Sequence, residues 1–264
     1  MSLIHIANIE NHFYLWNMQG KNKHELNPRV STDCVIFGFD RHELKVLLIE
    51  RDSFGREEKV LALPGDLIYE GEDLDKAAAR VLLELTGLSD IYLEQVGAFG
   101  SLERLKKESD KEWLRNIREE PNIRVITVAY FSLVNMENIN IEPHSFAKAA
   151  VWLPVSEVSE LAFDHYEIFQ VSLKKLKNKI QNQPIGFNLL PDKFTLSQLH
   201  KLYEAILGRE LDKRNFRRKM LKLNLVVSCA EKQQGVPHKP SQYYMFNDEK
   251  YNELILEGFD NFGF

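Results

Sequence analysis

Two groups of residues in this 264-residue chain have types and spacings that could do chemistry. The first runs from Leu63-Pro64-Gly65-Asp66 to Gly87-Leu88 and holds Glu72, Arg80 and Glu84. Arg80 and Glu84 are four apart and share a helical face, so both glutamates can pair with the arginine and tie a loop to a helix. The second is Lys213, Arg214, Asn215, Arg217, Arg218 and Lys222, with Lys232 and Lys239 further on. From Arg209 to Lys239 there are nine Lys and Arg against three acids, in a chain whose net charge is −5. Such a local basic face suits phosphate contacts, and Arg and Asn are the side chains that read guanine and adenine edges in the major groove.

These residues need elements to hold them. Val30–Phe39 and Leu44–Arg51 read as a hairpin around the polar turn 40–43, and Val60–Leu63 as a short strand ending at Pro64-Gly65. Leu74, Ala77, Ala78, Val81, Leu82 and Leu85 recur at helical spacing over 74–86, with Gly87 placed for a left-handed cap. Ile91–Phe99, Ile123–Leu133 and Ala149–Leu153 read as strands, and His165–Ile180 as a helix with Asp164 at its N-cap. Arg104–Pro121 is dense in charge and reads as a solvated insertion with one helical turn or more.

In the last third, Thr195 and Gln198 form a capping box for a helix that stops at Gly208. Asp212 can cap a second helix over 213–223, which makes a helix-turn-helix. Phe216, Met220 and Leu223 point to a core, and Arg214, Arg218 and Lys222 point away from it. Base contacts fall in the first turn of a recognition helix, which puts Lys213, Arg214 and Arg217 first. Leu225–Ser228 and Gln242–Phe246 read as strands, with 231–241 between them as a wing.

The bounds are those of an ordinary globular protein. Two cysteines, Cys34 and Cys229, fit a reducing compartment and cannot build a thiolate zinc site, and the eight histidines lack ligand spacing. There is no signal peptide and no apolar run of membrane-spanning length, so the expected location is cytoplasmic, with no membrane partner.

The first constellation resembles a Nudix box, G-x5-E-x7-R-E-U-x-E-E-x-G-U. Glu72, Arg80, Leu82, Glu84, Gly87 and Leu88 are in register, while Asp66 stands at the opening glycine, Val81 at one glutamate and Leu85 at another. In Nudix hydrolases those glutamates hold divalent metal against a pyrophosphate, so the resemblance implies a fold that has kept its frame and lost catalysis. The whole chain is similar to the Nudix-related transcriptional regulators, a Nudix-like sensor joined to a C-terminal winged helix. The resemblance covers 30–246 and is carried by Glu94-Gln95-Val96-Gly97-Ala98-Phe99-Gly100, Phe163-Asp164-His165, Pro184–Pro191, Phe194–Leu199 and Asp212–Arg217.

It implies an α/β protein: a Nudix-like α/β/α sandwich with a mixed sheet, then a small winged helix-turn-helix domain. The expected organisation is an N-terminal extension over 1–28, a Nudix-like sensing domain over 29–183, a linker over 184–194 and a DNA-binding domain over 195–264. Phe13–Trp16 in the extension should dock on a neighbouring surface, and the apolar linker should pack rather than float. Within the family the chain is similar to the sugar-utilisation, arabinose-responsive branch. The expectation is therefore a homodimer on palindromic operator DNA, not an enzyme, with no metal and no cofactor. A pocket without metal is a poor cradle for pyrophosphate, so a monosaccharide is the expected effector, controlling carbohydrate genes. No effector-binding residue is assigned. The alternatives are a hydrolase of a nucleotide diphosphate such as ADP-ribose, using displaced carboxylates such as Glu70 or Glu103, and a scaffold whose winged helix contacts protein. The chain departs from the family in its N-terminal extension, in Asp66 and in the charged insertion.

Overall fold

A computed structural model describes residues 25–257 except 53, 55–58, 137–140, 142–145 and 236–238. The docking expected of Phe13–Trp16 falls outside the described residues.

Strand β1 (Leu26–Phe39) starts before Val30 because Leu26 pairs with Tyr69, ahead of a register shift. It turns into β2 (Leu44–Arg51), and β3 (Leu61–Ala62) and β4 (Gly65–Tyr69) follow. Helix α1 (Leu74–Thr86) lies between β4 and β5 (Glu94–Phe99). After a single 3-10 turn over Leu102–Leu105 come α2 (Glu108–Ile117), β6 (Ile126–Asn135), β7 (Ala147–Pro154) and the long α3 (His165–Asn182). The sheet has seven strands in the order β3-β2-β1-β6-β5, with β4 added to β1 and β7 to β2. It is mixed: β1 runs parallel to β6 over Val30–Phe39, and its pairings with β2 and β4 are antiparallel.

Alternation along β1 builds two cores, because successive side chains in a strand face opposite sides. Cys34 and Ile36 pack with Ala78 and Leu82 of α1 on one face. Val35 and Phe37 pack with Ile168 and Phe169 of α3 on the other. This is the expected α/β/α sandwich. Asp33 has the parity of Val35 and so emerges on the α3 side.

The second unit has three strands in the order β8 (Phe194–Thr195), β10 (Gln242–Phe246), β9 (Val226–Lys232). Helices α4 (Leu196–Leu207) and α5 (Lys213–Lys222) precede the β9–β10 hairpin, and α6 (Asp248–Glu257) follows it. The Thr195–Gln198 capping box forms, and Gly208 takes φ 68° at the end of α4, a left-handed turn open to glycine at no steric cost. This is a winged helix. Two strands depart from the expected limits: β9 continues past Ser228 to Lys232, and β8 adds a strand not expected at all.

One apolar core joins the two units. Ile168, Leu173, Leu176 and Ile180 of α3 are continuous with Leu199, Leu202, Tyr203 and Ile206 of α4. The connecting segment is packed: Phe187, Leu189, Leu190 and Phe194 are buried, and the Phe187 ring stacks on Phe246 with centroids 4.0 Å apart.

Candidate functional site

Asp73 caps α1 by accepting from the Lys76 N–H, and Gly87 closes it at φ 76°. Between them Arg80 holds the loop. Its Nε donates to Glu72 Oε1 at 2.8 Å, Nη2 to Glu72 Oε2 at 2.9 Å and to the Leu67 carbonyl at 3.0 Å, and Nη1 to Glu84 Oε2 at 2.9 Å. The guanidinium also lies 3.9 Å over the Tyr69 ring, a cation–π contact. Glu72 and Glu84 are therefore both engaged by Arg80. Val81 and Leu85 are fully buried in an apolar cluster with Ile49, Ala62, Ala147 and Ala162. The residues at the position of a Nudix metal site do not fit a divalent ion, which needs several free oxygen ligands. The displaced carboxylates do not restore one: Glu70 accepts from Asn27 Nδ2 on an exposed edge, and Glu103 is exposed and paired with Lys106.

The charged insertion does not behave as a solvated loop, which corrects the expectation for 104–121. Trp113 and Leu114 are buried, and so is Asp110. Asp110 Oδ1 takes Arg51 Nη1 at 3.0 Å and Oδ2 takes the Phe163 N–H at 2.9 Å. Trp113 Nε1 donates to the Asp52 carbonyl at 2.9 Å, and Arg51 lies 4.6 Å over the Trp113 ring. Arg104 reaches two carboxylates, Asp33 Oδ2 at 3.0 Å and Asp164 Oδ1 at 2.7 Å. Asp164 sits at the α3 N-cap as expected, but its side chain makes no capping bond. It faces Arg104 instead.

Beside this clamp is a narrow cleft lined by Ser31, Asp33, Arg51, Gly65, Asp66, Arg104, Trp113, Arg118, Phe163 and His165 among others. His165 Nδ1 accepts from the Leu63 N–H at 3.0 Å, and its Nε2 lies 3.4 Å from Asp33 Oδ1. Burial, with the charges of Arg104 and Arg51, pushes the imidazole pKa down to about 4 against the pull of Asp33, so His165 is neutral at pH 7 with its proton on Nε2. Burial also opposes the Asp33 charge, but His165 and Arg104 outweigh it and hold that carboxyl below its ordinary value. Asp66 and Asp164 are shifted upward by burial, against the pull of Arg118 on the first and Arg104 on the second. Gly65 is required by close approach: a Cβ there would stand 1.8 Å from Asp33 Oδ1 and 3.0 Å from the Thr32 carbonyl oxygen.

The basic residues lie on α5 and the hairpin. Asp212 caps α5 by accepting from the Asn215 N–H at 2.7 Å, Phe216 and Met220 are buried, and Lys213, Arg214, Asn215, Arg217, Arg218 and Lys222 are exposed. Asn215 Oδ1 also accepts from Arg218 Nη2 at 3.0 Å. Lys232 ends β9 and Lys239 lies in the connection to β10, both exposed. Sequence reasoning missed Asp33, Asp66, Arg104 and Arg118 as cleft residues. The signal was Asp33, a charge leading directly into the apolar run Cys34-Val35-Ile36-Phe37, together with the arginines of the insertion.

The NUDIX domain model matches residues 27–171, and the model of the NrtR DNA-binding winged helix domain matches 186–246. The "ADPR responsive transcriptional repressor NtrR" of Acinetobacter baylyi is 32% identical over 229 residues, covering 86% of this chain and 85% of the relative. The chain belongs to the NrtR-type family of Nudix-domain transcriptional regulators. The crystal structure of Shewanella oneidensis NrtR superposes with a TM-score of 0.65 at 25% identity, covering 84% of this chain and 95% of that one. The "ADP-ribose pyrophosphatase" of Methanocaldococcus jannaschii is 26% identical over 145 residues, covering 55% of this chain and 73% of the relative.

The assignment to the sugar-utilisation, arabinose-responsive branch is not supported. The relative matched over most of both chains is an ADPR-responsive repressor. The physical premise behind the sugar was also incomplete, because the α1 helix is not the only source of positive charge for a phosphate: Arg51, Arg104 and Arg118 line the cleft. Among the described residues no helix is long and apolar enough to cross a membrane.

Proposed function

We propose that this protein is a DNA-binding transcriptional repressor whose Nudix domain senses ADP-ribose without hydrolysing it. The observation that carries the reading is the position of the cleft. It is closed by Arg104 on Asp164 and by His165, the first residues of α3, and α3 shares its core with α4 of the winged helix. A ligand that engages the arginines changes the load on the N-terminal end of α3, and that helix is packed against the DNA-binding unit. The Acinetobacter relative's response to ADPR supports the choice of effector.

Lys213, Arg214, Asn215, Arg217, Arg218 and Lys222 form the DNA-contacting face of α5, and Lys232 and Lys239 belong to the wing. The protein works as a homodimer on a palindromic operator, with half-sites about 34–36 Å apart or a multiple of that, so a small rotation of the units breaks the match. The sensing unit spans 29–183 and the DNA-binding unit 195–264, with 184–194 between them. Loss of turnover follows from Val81 and Leu85, which fill the place of metal-binding glutamates with apolar contacts.

Operator duplex recovered by selection from random sequence tests this reading. ADP-ribose should release the bound duplex and raise the melting temperature, since a ligand that binds the folded state stabilises it. L-arabinose should do neither. Release by arabinose and not by ADP-ribose, or magnesium-dependent consumption of ADP-ribose with no effect on DNA, would overturn it.

A further inference from the structure

Four arginines stand around the box and the cleft, and three of them are tied. Arg51 is paired with Asp110, Arg80 with Glu72 and Glu84, and Arg104 with Asp33 and Asp164. Arg118 differs. It follows α2, its backbone N–H closes the helix on the Leu114 carbonyl at 2.9 Å, and its side chain lines the cleft. Among the described residues the guanidinium has no hydrogen bond and no ion pair. Burial lowers its pKa and Asp66 across the cleft raises it, yet an arginine stays charged at any ordinary pH. A second polar group in the same cleft is also unsatisfied: Ser31 is 3% exposed, and its buried Oγ has no partner. Buried polar groups are paired in the great majority of cases, so two such groups facing one cleft mark a place where a ligand completes the bonding.

The chemistry of the pair selects the ligand. A guanidinium presents a planar fork of donors that matches a phosphate, and a serine hydroxyl adds one more donor to a phosphate oxygen. In a Nudix hydrolase that negative charge is met by metal on the box glutamates, and here Val81, Leu85 and the Arg80 pairs remove that option. We propose that Arg118, assisted by Ser31, is the metal-free phosphate anchor of this cleft, the insertion having supplied by an arginine what the box helix lost as metal ligands. The cleft is narrow but open to solvent on one side, so a phosphate can approach Arg118 and Ser31 from its mouth. The proposal deepens the effector reading and rests on it for the identity of the whole ligand, but not for the phosphate chemistry.

Isothermal titration of the full-length protein with ADP-ribose and with inorganic pyrophosphate tests it, each in excess magnesium and in excess EDTA, on wild type, Arg118→Ala and Arg118→Lys. The expected result is ADP-ribose binding of equal strength with and without EDTA. Arg118→Ala should weaken it by more than about tenfold, the scale of a lost hydrogen-bonded charge. Arg118→Lys, which keeps the charge and loses the fork, should fall between. The alanine variant should melt close to wild type, since no hydrogen-bonded partner is left behind. Wild-type binding that is lost in EDTA, or equal binding by Arg118→Ala, overturns the anchor and leaves ADP-ribose standing as effector. Binding of pyrophosphate through Arg118 without binding of ADP-ribose supports the anchor and overturns the effector. Binding of neither ligand by wild type overturns both.

Discussion

Replacing Arg104 by Met keeps most of the side-chain volume and removes the charge that faces Asp33 and Asp164. The side chains of the three are 10%, 3% and 8% exposed, and the ion-pair distances are 3.0 Å and 2.7 Å. Exposed pairs contribute about 0–1 kcal/mol, whereas removing one partner of a buried pair costs about 3–5 kcal/mol by stranding the other. Here one substitution strands Asp164 and leaves Asp33 with His165 beside it. Arg104→Met is therefore expected to lower the unfolding free energy by about 3–5 kcal/mol in urea at pH 7.5. Without the arginine the upward shift that burial gives Asp164 is no longer opposed, so its folded-state pKa stands further above the unfolded one. Such a group favours the fold at low pH and loses that contribution as pH rises, so the deficit should shrink at pH 5. Combining Arg104→Met with Asp33→Asn and Asp164→Asn should recover most of the loss. A cost under about 1 kcal/mol, or one that does not vary with pH, would mean that the insertion is the solvated loop its composition suggested.

Arg214→Ala with Arg217→Ala is expected to abolish operator binding, at about 1–3 kcal/mol for each specific contact, with the melting temperature nearly unchanged because both side chains are exposed. Wild-type mobility shifts by that variant would refute the α5 assignment. His165 has a folded pKa of about 4 against an ordinary 6.5, so its contribution is complete above pH 6.5 and is lost as pH falls toward 4. The span of about 2.5 units corresponds to about 3 kcal/mol, and Asp33, Arg104, Arg51 and Asp110 share the environment. The difference in stability between wild type and His165→Asn should narrow by that amount across the window, and parallel pH profiles would refute it. Gly65→Ala drives a methyl into Asp33 and is expected to cost about 1–3 kcal/mol in urea unfolding, where a neutral result would show that Asp33 has room to move.

Much of this architecture could be read from spacing. The period of Leu74, Ala78, Val81, Leu82 and Leu85, the Gly87 cap and the Thr195–Gln198 capping box are local signals, and each forms as read. The two-residue strand β8 carries no period and is defined by β10 beside it, so it could not be seen in advance. The insertion failed for another reason. Charge density predicts solvent only when the partners are unknown, and the partner of Arg104 stands 71 residues away in β1. Asp33 at the head of Cys34-Val35-Ile36-Phe37 was the visible clue, because an unpaired charge in a central strand is too costly to keep. The preference for a sugar failed with it, since it weighed only the box helix and not Arg51, Arg104 and Arg118, which line the cleft.

If the cleft and the winged helix are coupled, the coupling must be reciprocal for binding free energies. The most direct measurement is operator affinity with and without saturating ADP-ribose, set beside ADP-ribose affinity with and without saturating operator. Each ligand should weaken the other by the same factor, about tenfold or more, the usual scale of such couplings. Operator and ADP-ribose that both bind with affinities indifferent to each other would contradict the coupling.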